Sequence, residues 1–401
     1  MSRTTIEASS AAPEPYDAAW LPEGVRSRLV PGVNGLCMHV LEAGYANAGR
    51  PCVLLLHGFP ELAYSWRKVM PALAAAGYHV LAPDQRGYGR TVAEGAGPGV
   101  DYDCDLGQFS MPVLARDALA LLHAFGHREA AVVGHDFGSS VAAWCALMRP
   151  DAFRKVVLMS APFAGPPALP FGHADRPQAA VEAALQAAGV RAVLEQLAGL
   201  PRPRKHYQWY YATREANDHM WHAPQGLAAF LRGYYHVKSA DWKHNRPRPL
   251  PGWTAASLAE LPTYYVMDAG CTMAETVAPH MPASAQAAAC GWLTEAELAV
   301  YVGEYARTGF QGGLSWYRAR IEGAGLGEQQ MFAGAAIDVP AIYIAGASDW
   351  GIYQKPGDFE AMQTSACRRF EGAHLLDGAG HWVQQEQPAA VNAVLLEFLR
   401  R

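Results

Sequence analysis

The stretch VVGHDFGSS (132–140) sets an acidic residue, Asp136, between Gly134 and Gly138. Small residue, spacer, nucleophile, spacer, small residue is the rhythm of a sharp turn from a strand into a helix, where a Ser hydroxyl is the commoner occupant. Such a turn closes only where neighbouring residues lack bulk, and it pushes its central side chain into a cleft. It also aims the Phe137 backbone N–H at the reacting centre. A second N–H, from Phe59 in HGFP, would face it from the loop after an earlier strand. Two such donors make an oxyanion hole, each worth about 3–4 kcal/mol.

A carboxylate nucleophile needs a base and an acid to orient that base, and in this kind of turn-and-sheet arrangement they follow in the order nucleophile, acid, His. Asp349 stands just past the apolar run AIYIAG, in GASDWG, and His381 stands in GAGHWVQQEQP. His374, in EGAHLL, is the competing histidine. The slot after the run ending at Ser160, an alternative home for the acid, holds no carboxylate.

The choice of Asp over Ser carries chemical information. A Ser oxygen attacking a saturated carbon would leave an ether that an activated water cannot cleave. A carboxylate leaves an ester, and water activated by His381 can attack its carbonyl while the oxyanion hole holds the charge. Asp136 therefore points to electrophilic saturated carbon: an epoxide or an alkyl halide. A halide leaving group calls for N–H donors, commonly an indole beside the nucleophile, and Phe137 and Phe59 have none. An opening epoxide calls for phenol-type proton donors, and HYQWYY (206–211) and GFQGGLSWYRAR (309–320) offer Tyr207 and Tyr317.

HGFP, GHDFG, Tyr207-Gln208, the later GGLSWYR, the Asp349 loop and GHW occur in this order across about residues 50–390. In these motifs the chain resembles the α/β-hydrolase epoxide hydrolases of the soluble and microbial type. The resemblance implies that Tyr207 and Tyr317 bind the epoxide oxygen and protonate the alkoxide, with Tyr210, Tyr211 and Tyr235 as neighbouring alternatives to Tyr207. It makes His57, Pro60, Gln208, Trp316, Trp350 and Trp382 candidate substrate contacts. It implies no cofactor and no metal ligand; the expected partners are a small apolar epoxide and water, and a homodimer stays open. Phe137 stands where the family often has Trp, and 236–292 is longer than usual and carries no readable motif. A haloalkane dehalogenase with the same nucleophile, and a ligand-binding homologue without turnover, remain rival readings.

The elements needed to hold these residues are readable too. Continuous apolar runs at Cys52–Leu56, 79–82, 130–133, 155–159 and 341–345 read as buried parallel strands. Helical patterns lie between them, at 111–125 behind a possible cap at Ser110, at 140–148, and finally at 389–399. This alternation implies an α/β-hydrolase-type doubly wound sheet, with the site at the carboxyl ends of its strands. It stops near 163 and resumes near 337, so the expected layout is core 1–163, an inserted helical cap 164–335, and core 336–401. Thr294 and Glu297 fit a capping box opening the clearest cap helix. The 84–91 loop, DQRGYGRT, reads as structural, Gly87 and Gly89 allowing its bend. The 401 residues are 51% hydrophobic, with net charge −5 and seven scattered Cys without a C-x-x-C pair. That suits a large core and reduced thiols, and no basic stripe suggests nucleic acid. With no apolar leader and no 18-residue apolar run, the expectation is a cytoplasmic protein without a membrane span.

Overall fold

The structure is a computed structural model and describes residues 14–169 and 191–401. Most of the polar start and part of the expected cap lie outside the described residues. The main sheet has nine strands: β1 (Val25–Val33), β2 (Leu36–Ala43), β3 (Cys52–Leu56), β4 (His79–Pro83), β5 (Val92–Ala93), β6 (Ala130–His135), β7 (Phe153–Met159), β10 (Ala341–Gly346) and β11 (Phe370–Leu376). Their order is β1-β2-β4-β3-β6-β7-β10-β11, with β5 on β2. From β4 to β11 every pairing is parallel; β1, β2 and β5 pair antiparallel.

The apolar-run strands are the sheet's interior, and β3 and β10 are buried at every residue. The four strands without such runs are at or near the edges. Edge strand β11 alternates half-buried and exposed residues, so its sequence lacks a continuous apolar signature. β1 and β2 form a hairpin over Asn34-Gly35, both at positive φ (51° and 78°), the backbone that an Asn-Gly type I′ turn supplies.

Between β7 and β10 the described residues are mostly helices, with a two-stranded antiparallel sheet, β8 (Arg204–His206) and β9 (Val266–Asp268), that a purely helical reading leaves out. β9 supplies a strand inside the motif-free 236–292 stretch. The Thr294/Glu297 capping box is formed, opening the helix Glu295–Thr308. Ser110 occupies its cap position but makes no side-chain cap bond; Pro112 in the first turn removes one N–H that would need it. All seven cysteines are free thiols. Among the described residues, no helix is long and apolar enough to cross a membrane.

Candidate active site

Asp136 is the residue between β6 and the elbow helix Phe137–Met148, at φ 53°, ψ −120°. A non-Gly residue at such φ costs on the order of 1–3 kcal/mol and persists where its surroundings over-determine it. The small neighbours are what over-determine it. A Cβ on Gly134 would lie 2.0 Å from the Gly138 carbonyl oxygen, and one on Gly138 would lie 2.3 Å from the Leu56 carbonyl oxygen. One on Gly58 would lie 2.3 Å from Asp136 Cβ. These glycines let the nucleophile turn sit directly against the HGFP loop.

That contact places the Phe59 N–H on Asp136 Oδ1 at 2.9 Å. The Phe137 N–H is at the first position of the elbow helix, one of the donors that a helix start leaves without an internal partner. The other Asp136 oxygen, Oδ2, lies 3.2 Å from His381 Nε2. Nε2 makes no hydrogen bond among the described residues, so the contact is an ion pair. His381 Nδ1 lies 3.1 and 3.2 Å from the two Asp349 oxygens. Asp349 also accepts the Gly351 N–H at 2.6 Å. The structure thus brings Asp136, His381 and Asp349 together, all buried, with Asp136 still 7% exposed. His374 is on edge strand β11, half-exposed and away from this cluster.

Burial alone would raise both carboxyls, but the His381 imidazolium holds Asp136 and Asp349 below the usual carboxylate range. For His381, burial disfavours the charge, and Asp349 and Asp136 outweigh it, raising the imidazole to about 9. The resting site is therefore an ionised Asp136 carboxylate paired with a charged His381 imidazolium.

Tyr317 is on the helix Gln311–Ile321, and its ring packs edge-on against Phe59 and Phe137, centroids 5.5 and 5.0 Å away. That stands it against the Phe59 and Phe137 rings beside Asp136. The helix reaches this place because Gly312 and Gly313 let it touch the core. A Cβ on Gly312 would lie 1.8 Å from the Gly87 carbonyl oxygen, and one on Gly313 2.7 Å from the Phe59 ring. The Tyr317 hydroxyl has no hydrogen-bond partner among the described residues. Tyr207, in the helix Tyr207–Tyr211, has its ring 5.9 Å from that of Tyr317. Its hydroxyl donates to Gln354 Oε1 and accepts from Gln208 Nε2, both at 3.0 Å. Burial, then the nearby Asp136 charge, pushes both phenols up, so both keep their protons at neutral pH. The alternative tyrosines are engaged elsewhere: Tyr211 donates to Tyr234, Tyr235 to the Pro60 carbonyl, and Tyr210 sits by His219.

Several expected substrate contacts face the protein instead. His57 uses Nδ1 on the Gly58 carbonyl and Nε2 on the Gln85 N–H, which leaves neither ring nitrogen for a ligand. The Gln208 amide supports Tyr207. The Trp316 and Trp382 indole N–H groups donate to the Arg86 and Tyr235 carbonyls, so these rings offer only carbon faces. Pro60 is buried in the HGFP turn, and the Trp350 indole N–H is buried without a partner.

The sequence reading assigns no role to five residues of the site. Glu61 Oε2 lies 2.5 Å from His135 Nδ1, and His135 Nε2 lies 2.7 Å from the His381 carbonyl oxygen. Glu386 accepts the N–H groups of Ala240, Gly380 and Trp382 at 2.8–3.0 Å, bracketing His381 on both sides. Gln354 holds Tyr207. Lys238 is buried beside the triad at the end of the helix Leu227–Lys238. Its four-residue spacing from Tyr234, which shares a helix face with it, was a usable signal. Among the described residues, no group of three or more His, Cys, Asp or Glu is arranged to hold a metal ion.

The family described as the alpha/beta hydrolase fold matches residues 51–388. Epoxide hydrolase A of Mycobacterium tuberculosis is 34% identical over 369 residues, covering 91% of this chain and 95% of the relative. An epoxide hydrolase of Caballeronia sordidicola is 30% identical, covering 92% of each chain. Among solved structures, an epoxide hydrolase from an endophytic Streptomyces superimposes with a TM-score of 0.69 at 30% identity, covering 94% of this chain and 96% of that one. The potato (Solanum tuberosum) enzyme epoxide hydrolase I does so at 0.67 and 27%, covering 94% and 99%. The chain belongs to the α/β-hydrolase fold family and stands among its epoxide hydrolases.

Proposed function

We propose that this protein opens an epoxide to a vicinal diol through an ester of Asp136. The reading is supported above all by one juxtaposition: an ionised carboxylate with one oxygen on the Phe59 N–H and the other against His381, beneath a phenol without a hydrogen-bond partner. Asp136 Oδ2 attacks a ring carbon, the C–O bond of the epoxide breaks, and the oxygen leaves as an alkoxide that takes a proton from Tyr317, assisted by Tyr207. His381, charged at rest, first passes its proton to the Tyr317 phenolate, and as a neutral base then removes a proton from water, whose oxygen attacks the Asp136 carbonyl carbon. The developing charge falls on Oδ1, already on the Phe59 N–H. Collapse breaks the acyl C–O bond, the alkoxide takes its proton from His381, and the second water proton, left on the Asp136 carboxyl, passes to His381 and restores the resting ion pair. The diol thus carries the epoxide oxygen and one Asp136 oxygen, while the water oxygen stays in the carboxylate.

Single turnover in H2¹⁸O tests this. The label is expected in Asp136 and absent from the first diol released; label in that diol would mean direct attack by water. Bromoalkanes provide the contrast: rapid halide release without diol formation from any epoxide would favour the dehalogenase reading, and tight epoxide binding without product would favour a binding protein.

A further inference from the structure

Lys238 is 3% exposed, and its ammonium has neither hydrogen bond nor ion pair among the described residues. It is surrounded by rings. Nζ lies 4.8 Å from the centroid of Tyr265, 5.1 Å from Tyr234, 5.8 Å from Tyr207 and Tyr264, and 5.9 Å from Trp382. These five rings come from four chain segments. The same residue's carbonyl accepts the His381 N–H at 2.8 Å, and Trp382 packs on His381 with centroids 4.7 Å apart. Lys238 therefore both tethers the loop of the base and sets a cation next to it.

The way the cation is held decides what it does. Ring faces attract an ammonium through their quadrupoles and lessen the penalty of its burial. A carboxylate partner would do that too, but it would also cancel the cation's field at His381; neutral rings do not. The acids that feel Lys238 are those of the site, Asp136, Asp349 and Glu61. The charged or titratable groups around His381 are Asp349, Asp136, Lys238, Glu61, His135 and Glu386, whose carboxyl holds the N–H groups on either side of His381 and is raised by burial to about 7.

The charge balance changes during the proposed reaction. In the resting site, two carboxylates hold the His381 imidazolium. Alkylation turns Asp136 into a neutral ester, so one of the two disappears at the moment when His381 must become a neutral base. Asp349 remains and still favours the proton. Lys238 remains as well, and its repulsion is then opposed by one fewer anion.

We propose that Lys238 is a positioning residue of the hydrolytic half-reaction, whose ring-held ammonium makes His381 release its proton to the Tyr317 phenolate once Asp136 is an ester. This rests on the Asp136 ester proposed above. In the resting site burial draws the Lys238 amine down to about 8, against the pull of the Asp136, Asp349 and Glu61 carboxylates, of which Asp349 and Glu61 remain after alkylation.

The test uses the full chain and separates the two half-reactions. Wild type, Lys238→Met, Lys238→Gln and Lys238→Arg are mixed with a styrene-oxide-type epoxide in single turnover from pH 5 to 8. Intact-protein mass spectrometry follows formation and loss of the adduct. Wild type and Lys238→Arg are expected to share one midpoint for adduct hydrolysis. Lys238→Met and Lys238→Gln are expected to shift it upward by at least about one pH unit, because a unit charge no more than about 11 Å from the imidazole, acting through an effective dielectric of about 20, is worth about 1.5 kcal/mol or more. One unit below the wild-type midpoint, the adduct would then decay about tenfold more slowly. An unmoved midpoint in both neutral variants, or an equal shift in Lys238→Arg, overturns the role; the latter would make Lys238 a packing residue. If Lys238→Met does not fold, Lys238→Gln reads the same quantity. No adduct in wild type would instead overturn the ester reading, and the inference with it.

Discussion

Tyr207 and Tyr317 can be separated by what their hydroxyls touch. Tyr317→Phe removes an oxygen with no hydrogen-bond partner among the described residues, so nothing in the fold is left unsatisfied. Its stability is expected to stay within about 0.5 kcal/mol of wild type, the range for substitutions that disturb no buried feature. Its alkylation rate is expected to fall on the order of 10²–10³, the loss seen when one donor to a developing oxyanion is deleted, about 3–4 kcal/mol of transition-state stabilisation. Tyr207→Phe differs. It strands Gln354 Oε1 and Gln208 Nε2, both 3.0 Å from the lost hydroxyl and on buried residues. Each stranded group costs about 1–3 kcal/mol, so this variant should melt several degrees lower as well as react more slowly. Thermal melts by circular dichroism and single-turnover adduct formation read the two effects. A Tyr317→Phe protein that melts as low as Tyr207→Phe, or that alkylates at the wild-type rate, would refute the assignment of Tyr317 as the free donor.

Four further outcomes are expected. Asp136→Ala should abolish turnover on every epoxide; activity near wild type in protein purified from a host lacking such enzymes would remove it as nucleophile. His381→Gln should still alkylate but not hydrolyse, leaving a mass shift of one epoxide on the intact chain, since only the second step needs the base. Gly312→Ala drives a Cβ to 1.8 Å from the Gly87 carbonyl oxygen, so it should displace the Tyr317 helix and lower both activity and melting temperature; an unchanged enzyme would show that the close approach is not what seats the helix. On pH, His381 stands at about 9 in the fold against 6.5 for an unperturbed imidazole. The stability it contributes is complete below about 6.5 and lost as pH rises toward 9, about 3 kcal/mol in all. Lys238, lowered to about 8 from 10.5, works the other way, restoring stability as pH rises from 8 to 10.5. The fall between pH 6.5 and 8 should therefore be visible in wild-type melts and flattened in His381→Gln.

The chemistry was legible early because it is encoded in short motifs. An Asp in a turn bounded by Gly134 and Gly138 carries its own steric argument, and the buried strands announce themselves as apolar runs such as CVLLL and AIYIAG. β1 and β2 were passed over although Asn34-Gly35 marks their turn, and β11 because an edge strand has no continuous run to display. β8 and β9 are three residues each, shorter than a two-residue period needs to stand out from noise.

The sequence by itself determined the residue types, the turn geometry around Asp136, and the chain order of Asp136, Asp349 and His381, the candidate nucleophile, acid and base, since each follows from local sterics or from the order of the chain. Only the tertiary structure decided which hydroxyl is free and which is held, because that depends on Gln354 reaching Tyr207 from 147 positions away. It also decided that His57, Gln208, Trp316 and Trp382 direct their polar atoms into the protein. And it decided the electrostatics around His381, where Lys238, Asp349 and Asp136 come from separate elements. Long-range Coulomb and hydrogen-bond partners are set by how the chain packs, and no window of neighbouring residues contains them.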